Sequence, residues 1–430
     1  MLRRFVPTAV GLLIALLLSP VTAGAATCRP AARVPGAELQ EWSCLDDLST
    51  AGTVASGHTV PADWAGLTAS TLPAPTPVPG MQVDGYFPDT STTNTHHGWN
   101  HDSQFVLRLP AHWNGGLVVG GSPGNRAQYA NDRAIADYVL AQGYAFAATD
   151  KGNTGVRFFT DPGGVAEWNF RLTQLTVAAK ATLARYYGRP PVRTLAAGMS
   201  NGGYLVRWQL ENRPGLYDGG VDWEGTLWSQ HDNLLEFLPA ALRAYPAGDH
   251  DAMLKAGFAP GSEFLWDFHY RVYWDLTQRI YRESLDPGYD GDLQAGSPFC
   301  QSGTPNCDAD YDYAARPASV HRAVERISLT GRIGKPLITL HGTLDSLLPI
   351  SRDSDVYDRM IGEAGRAGLH RYYRVDGGNH VDGLVDTFPD RLRPIAPCFR
   401  SAVSALDGWL SGTRPPVSAT VAPTATTCTL

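Results

Sequence analysis

Charge is scarce in this chain. Only 18% of its 430 residues are Asp, Glu, Lys or Arg, and the 35 basic side chains fall short of the 42 acidic ones. A formal net charge of −7 argues against a nucleic acid or anionic-membrane partner, which would need a basic patch. No CxxC pair occurs, so no zinc site is expected. No repeat of fixed period appears. Past the first residues there is no long apolar run, so no membrane anchor is expected; a spanning helix takes about 20 apolar residues. Glycine and proline number 45 and 31, below the roughly 25–30% that marks low-complexity chains. The 43% hydrophobic content is ample for a core.

The chain opens on a short positive stretch, Arg3 and Arg4, followed by an apolar run from Val10 to Leu18 and the small residues Ala23-Gly24-Ala25. That order predicts a signal peptide over residues 1–25 and a secreted, extracellular protein. Six cysteines follow it, an even count that suits disulfides in an oxidising compartment. They fall into three local pairs: Cys28 with Cys44, Cys300 with Cys307, and Cys398 with Cys428.

Residues 26–102 are rich in Pro, Thr, Ser and Gly, with weak strand signals, and are expected to form an extension packed on the core. From Gln104 onward strands alternate with helices. Strands are predicted at 104–109, 117–121, 144–149, 193–197, 219–223, 336–341 and, as the last, 371–375. Helices are predicted over 127–142, 167–187 and 201–211. This rhythm implies an α/β fold with a mostly parallel sheet and helices on both faces. Residues 227–333 interrupt it. The insertion is helical in its first part and aromatic, and would lie over the carboxyl ends of the strands as a lid. It divides the catalytic domain into 103–226 and 334–430.

Gly198-Met199-Ser200-Asn201-Gly202 matches G-x-S-x-G between a predicted strand and a predicted helix. Glycines two residues either side of the serine permit a turn that bulkier side chains would block. Such a turn lifts the serine hydroxyl to the top of a sheet. A serine needs a base, and the base needs an orienting acid. Downstream, strand 336–341 leads to Asp345, and strand 371–375 leads through Gly377 and Gly378 to His380. Asp222, on the strand after the elbow helix, is the alternative acid. His341 stands next to Gly342 at a strand end and is expected to shape the Asp345 loop. His96, His97, His101 and Asp102 match no metal-ligand spacing and suggest a loop lining the site. Asp308, Asp310 and Asp312 alternate as in a calcium loop, but Tyr313 replaces the glycine that an EF-hand requires. No other cofactor is expected.

With these motifs in this order, the chain resembles the α/β-hydrolase superfamily over roughly residues 103–411, less the lid. The resemblance implies Ser200 as nucleophile, Asp345 as acid and His380 as base. It implies an oxyanion hole built from the backbone N–H groups of Asn201 and Ser122, the latter in Gly120-Gly121-Ser122-Pro123-Gly124, where the family's histidine is replaced by Gly120. The stretch from Gly143 to Asn153, the Ser122-Pro123-Gly124 loop and the elbow are similar to secreted hydroxyalkanoate-oligomer hydrolases and to tannase and feruloyl-esterase relatives. That similarity implies a serine esterase for small or oligomeric esters, of a hydroxy acid or an aromatic acid. Two other classes remain. A serine peptidase on the same scaffold would use an acid such as Glu224 to read a substrate amino group. A non-catalytic binding protein would be expected to lack a triad member.

Overall fold

The computed structural model describes Cys28 and residues 33–155, 164–289 and 308–430. The predicted signal peptide and the Cys300–Cys307 pair lie outside the described residues. Ten strands form one sheet: β1 (Leu39–Leu45), β2 (Gly80–Tyr86), β3 (Gln104–Pro110), β4 (Gly116–Gly121), β5 (Ala145–Thr149), β6 (Arg193–Met199), β7 (Gly219–Trp223), β8 (Leu337–Gly342), β9 (His370–Val375) and β10 (Ala419–Val421). Their order is β1-β2-β3-β5-β4-β6-β7-β8-β9-β10. The pairs β1/β2, β2/β3 and β3/β5 are antiparallel, and every pair from β5/β4 to β9/β10 is parallel.

The parallel strands are covered on both faces, which is why they read as continuous apolar runs. Side-chain alternation divides them between two cores. Leu117 and Val119 of β4 join one core, with the helix Gly164–Tyr187 and the lid. Val118 joins the other, with the helix Ala396–Leu410. Trp266, Trp274 and Tyr281 of the lid are buried in the first of these cores: Phe258 packs on Trp266 and Trp274, and Tyr281 packs edge-on against Trp168 and Trp228.

Three features differ from expectation. The N-terminal stretch is part of the sheet itself, since β1 and β2 extend its antiparallel edge. The sheet also continues past β9 to the short strand β10. The predicted helix 127–142 is shorter: a π-helical turn, Asp132–Ala136, precedes an α-helix over Asp137–Ala141. Disulfides join Cys28 to Cys44 and Cys398 to Cys428, as the local pairing predicted. Among the described residues no helix is long and apolar enough to cross a membrane.

Candidate active site

Ser200 stands between β6 and the helix Asn201–Asn212, with φ 54° and ψ −125°. A non-glycine residue rarely adopts a positive φ, and such strain concentrates at functional sites. The flanking glycines are needed for close approach. A Cβ on Gly198 would lie 2.4 Å from the Gly202 carbonyl oxygen, and one on Gly202 would lie 2.4 Å from that of Gly121. The Ser200 N–H donates to the Trp223 carbonyl at 2.9 Å, which anchors the turn on β7.

Asp345 and His380 arrive from the loops after β8 and β9. These loops pack backbone to backbone: a Cβ on Gly342 would lie 2.4 Å from the Gly378 carbonyl carbon. His380 Nε2 is 2.9 Å from Ser200 Oγ, and His380 Nδ1 is 2.8 Å from Asp345 Oδ2. Asp345 Oδ1 accepts the N–H groups of Leu347 (2.7 Å) and Leu348 (2.9 Å). His341, fully buried, bonds Ser354 Oγ and the Leu348 carbonyl and approaches Asp345 Oδ2 at 3.2 Å. It shapes the Asp345 loop, as expected. Burial pushes the Asp345 carboxyl up, but the His380 and His341 rings outweigh it and hold it well below the usual carboxylate range. Burial lowers His380, and the Asp345 and Glu224 carboxylates more than reverse that.

Glu224 is the acid that sequence reasoning misplaced. It is fully buried, its Oε1 accepts the Gly342 N–H, and its Oε2 lies 3.4 Å from His380 Nδ1. Burial and the Asp345 charge push it up to about 8. It lies behind the histidine and does not line the cavity in front of Ser200. Behind the histidine, it is not placed to read a substrate amino group from that cavity. Asp222, the alternative acid, is also corrected. It is buried against Arg207 at 2.6 Å and accepts from Thr339 and the Gly225 N–H, so it belongs to a core ion pair.

The oxyanion assignment needs one correction. The Ser122 N–H donates to the Thr149 carbonyl at 3.1 Å, continuing the β4/β5 ladder, and so is already used. Its hydroxyl donates to the Arg126 carbonyl at 2.6 Å. The fully buried Lys151 ammonium bonds the Ser122 carbonyl (2.9 Å) and Oγ (2.5 Å), and lies 5.1 Å from the Trp168 ring centre. Burial lowers Lys151 to about 7, against the pull of Asp150. Asn201 Nδ2 reaches the Gly124 carbonyl (3.0 Å) and the lid's Tyr281 hydroxyl (2.5 Å), tying elbow, loop and lid together.

In front of Ser200 lies a cavity of about 310 Å³, with Gly124, Asn125 and Arg126 on the loop side and Phe268, His269 and Tyr273 on the lid side. His269 is 2% exposed, and neither ring nitrogen has a hydrogen-bond partner. Burial lowers it to about 3, so the ring is neutral.

The other candidates are used elsewhere. His96 Nε2 bonds Asp63 (2.8 Å), His97 Nε2 bonds Tyr129 (2.5 Å), and His101 bonds the Asp102 carbonyl (2.5 Å). Asp102 accepts from Ser91, Thr93 and the Asn94 N–H. Asp308 pairs with Arg282, Asp310 accepts from Tyr289, and Asp312 accepts the Ala314 N–H. Among the described residues, the carboxylate and imidazole atoms that do converge belong to Glu224, Asp345 and His380.

Two solved structures share this architecture. Feruloyl esterase B from Aspergillus oryzae superimposes with a TM-score of 0.52 at 14% identity, covering 89% of each chain. An esterase from Aspergillus oryzae gives 0.51 at 13%, covering 89% of this chain and 88% of that one. The chain has the α/β-hydrolase fold. Residues 90–222 of the chain match the family model described as tannase and feruloyl esterase, which reaches from the loop before β3 to β7 and includes the elbow. Two curated relatives match by sequence. Mono(2-hydroxyethyl) terephthalate hydrolase of Piscinibacter sakaiensis is 31% identical over 141 residues, 29% of this chain and 23% of that protein. D-(-)-3-hydroxybutyrate oligomer hydrolase of Azoarcus sp. (strain BH72) is 29% identical over 109 residues, 24% of this chain and 16% of that protein. The matches therefore span under a quarter of these relatives' own length.

Proposed function

We propose that this α/β hydrolase is a secreted serine carboxylic ester hydrolase working through an acyl-enzyme. The observation that carries the reading is the continuous hydrogen-bonded chain from Ser200 through His380 to Asp345, ending at a cavity. His380 Nε2 takes the Ser200 proton as Oγ attacks the ester carbonyl. Asp345 accepts the Nδ1–H bond and stabilises the imidazolium. When the tetrahedral intermediate collapses, the same proton passes to the leaving alcohol. Water, deprotonated by His380, then releases the acid and returns the proton to Ser200. The oxyanion is met by the Asn201 N–H at the start of its helix and by an N–H of Gly124 or Asn125. Pro123 has none, and that of Ser122 is already paired.

The substrates we favour are hydroxy-acid oligomers or aromatic-acid esters, on the strength of the two curated relatives. Export is supported by the predicted leader and by the two disulfides. The peptidase alternative loses its sequence argument with Glu224 buried behind His380.

The test is a substrate panel: p-nitrophenyl esters, hydroxybutyrate oligomers, feruloyl and galloyl esters, and aminoacyl anilides. Ester turnover is expected, and Ser200→Ala should abolish it with the fold intact by circular dichroism. Turnover of the anilides alone, or full esterase activity in Ser200→Ala, would overturn the reading.

A further inference from the structure

Buried cations in this protein have acidic partners, with few exceptions. Arg108, Arg207 and Arg282, all buried, meet Asp132 (2.5 Å), Asp222 (2.6 Å) and Asp308 (2.8 Å). Arg126, half-buried in the wall of the Ser200 cavity, is held differently. Its Nη1 and Nη2 donate to the carbonyls of Asp63 (3.3 Å) and Ala65 (2.9 Å), and it forms no ion pair among the described residues. The nearby Asp63 carboxylate is taken by His96 (2.8 Å) and the Val60 N–H (3.1 Å). A guanidinium has five N–H donors in a planar fork that fits a carboxylate. Two carbonyl contacts leave most of that fork unused.

The rest of the cavity favours an anion. Among the described residues no Asp or Glu lines it, although the chain as a whole is acidic. His269, which also lines the cavity, is neutral and offers one ring donor and one ring acceptor that no described protein group meets. A buried polar group left unmatched is costly, so water or a polar substrate must meet it. An ester that is apolar throughout would leave both Arg126 and His269 unanswered.

We propose that the substrate ester carries a free carboxylate, which Arg126 pairs with while Ser200 attacks the ester carbonyl. The inference rests on the esterase reading above and adds its specificity determinant. The carboxylate belongs either to the acyl half, as in a monoester of an aromatic diacid, or to the alcohol half, as in a dimer of a hydroxy acid. The chemistry at Arg126 is the same.

The experiment compares kcat/KM for monoethyl terephthalate and for a 3-hydroxybutyrate dimer, each against the same ester with its carboxylate replaced by a carboxamide. The protein should prefer the acid by about tenfold or more in at least one pair, as expected for a hydrogen-bonded charged contact. The pair that shows the preference identifies the half that carries the charge. Arg126→Met should erase the preference for acid over carboxamide, and Arg126→Lys should restore part of it. Equal turnover of acid and carboxamide in both pairs would overturn the proposal. So would an Arg126→Met variant that slows all four esters alike. A p-nitrophenyl acetate control separates the two levels. If it is hydrolysed in a Ser200-dependent way without any acid preference, only the carboxylate inference fails. If it and all four esters are inert, the esterase reading fails with it.

Discussion

Two carboxylates face one imidazole nitrogen, and exchanging each for its amide tells which of them is the catalytic acid. Asp345 Oδ2 lies 2.8 Å from His380 Nδ1, and Glu224 Oε2 lies 3.4 Å from the same atom. Two buried anions so close would repel, so one carboxyl keeps its proton. Their surroundings decide which. Asp345 accepts two backbone N–H groups and lies near His341, whereas Glu224 accepts one N–H and its second oxygen has no partner. The negative charge therefore rests on Asp345, and Glu224 holds its proton up to about pH 8. Asp345→Asn removes the anion and presents the wrong tautomer partner, so kcat should fall on the order of 10³–10⁴-fold. Glu224→Gln keeps an acceptor for the Gly342 N–H and should leave kcat at neutral pH within about tenfold, since the charge it removes is mostly absent there. Its effect appears in the pH profile. An ionised Glu224 favours the imidazolium, so deleting it lowers the His380 pKa and moves the acid limb of kcat/KM to lower pH. Two full charges 3.4 Å apart are worth about 5 kcal/mol at an effective dielectric of about 20. Only a fraction of that acts while Glu224 is mostly protonated, so the limb should shift by about one pH unit, ~1.4 kcal/mol. The assay is kcat/KM on a p-nitrophenyl ester from pH 5 to 9 for the three proteins. A Glu224→Gln loss as large as that of Asp345→Asn, or a limb that stays put or moves upward, would refute the reasoning.

Two further outcomes follow from buried cations. Lys151 holds the Ser122 carbonyl and hydroxyl at the base of the loop expected to supply an oxyanion donor. Losing one such donor outright costs about 10²–10³ in rate; Lys151→Met, which only loosens the loop, should lower kcat by about 10- to 100-fold with KM little changed, measured by steady-state kinetics. Arg207→Met should leave Asp222 and Asp353 buried without their partner and destabilise the protein by about 3–5 kcal/mol, read from urea unfolding. A midpoint equal to the parent's would show that the carboxylates find other donors or protons.

Legibility along this chain follows how local the determining physics is. Strands β4 and β8 were plain in the sequence because burial on both faces makes them apolar throughout. β1 was not, because an edge strand with mixed exposure carries Gln, Glu and Ser among its seven residues. β10 spans three residues, too few to show a period. Ser200, Asp345 and His380 were legible because each follows a strand within a few residues and the glycines needed for their turns are adjacent. Ser122 shows where that logic stops. Its place in the loop was read correctly, but whether its N–H is free depends on the register of β4 against β5, which still claims it for Thr149. Glu224 and Asp222 have the same strand parity, and the sequence pointed to Asp222 as the alternative acid. A positive φ of 49° occurs at Glu224, just beyond the end of β7, and the carboxyl reaches His380, while Asp222 stays in the sheet and pairs with Arg207. Arg126 carries no sequence signal, because what distinguishes it is the carboxylate it lacks among the described residues, and a missing partner shows only in the fold. The groups a sequence displays are thus those whose chemistry is set by their neighbours in the chain. Those that select a substrate are defined by what the rest of the fold leaves unmatched around them, and Arg126 and His269 meet that description in the lining of one cavity.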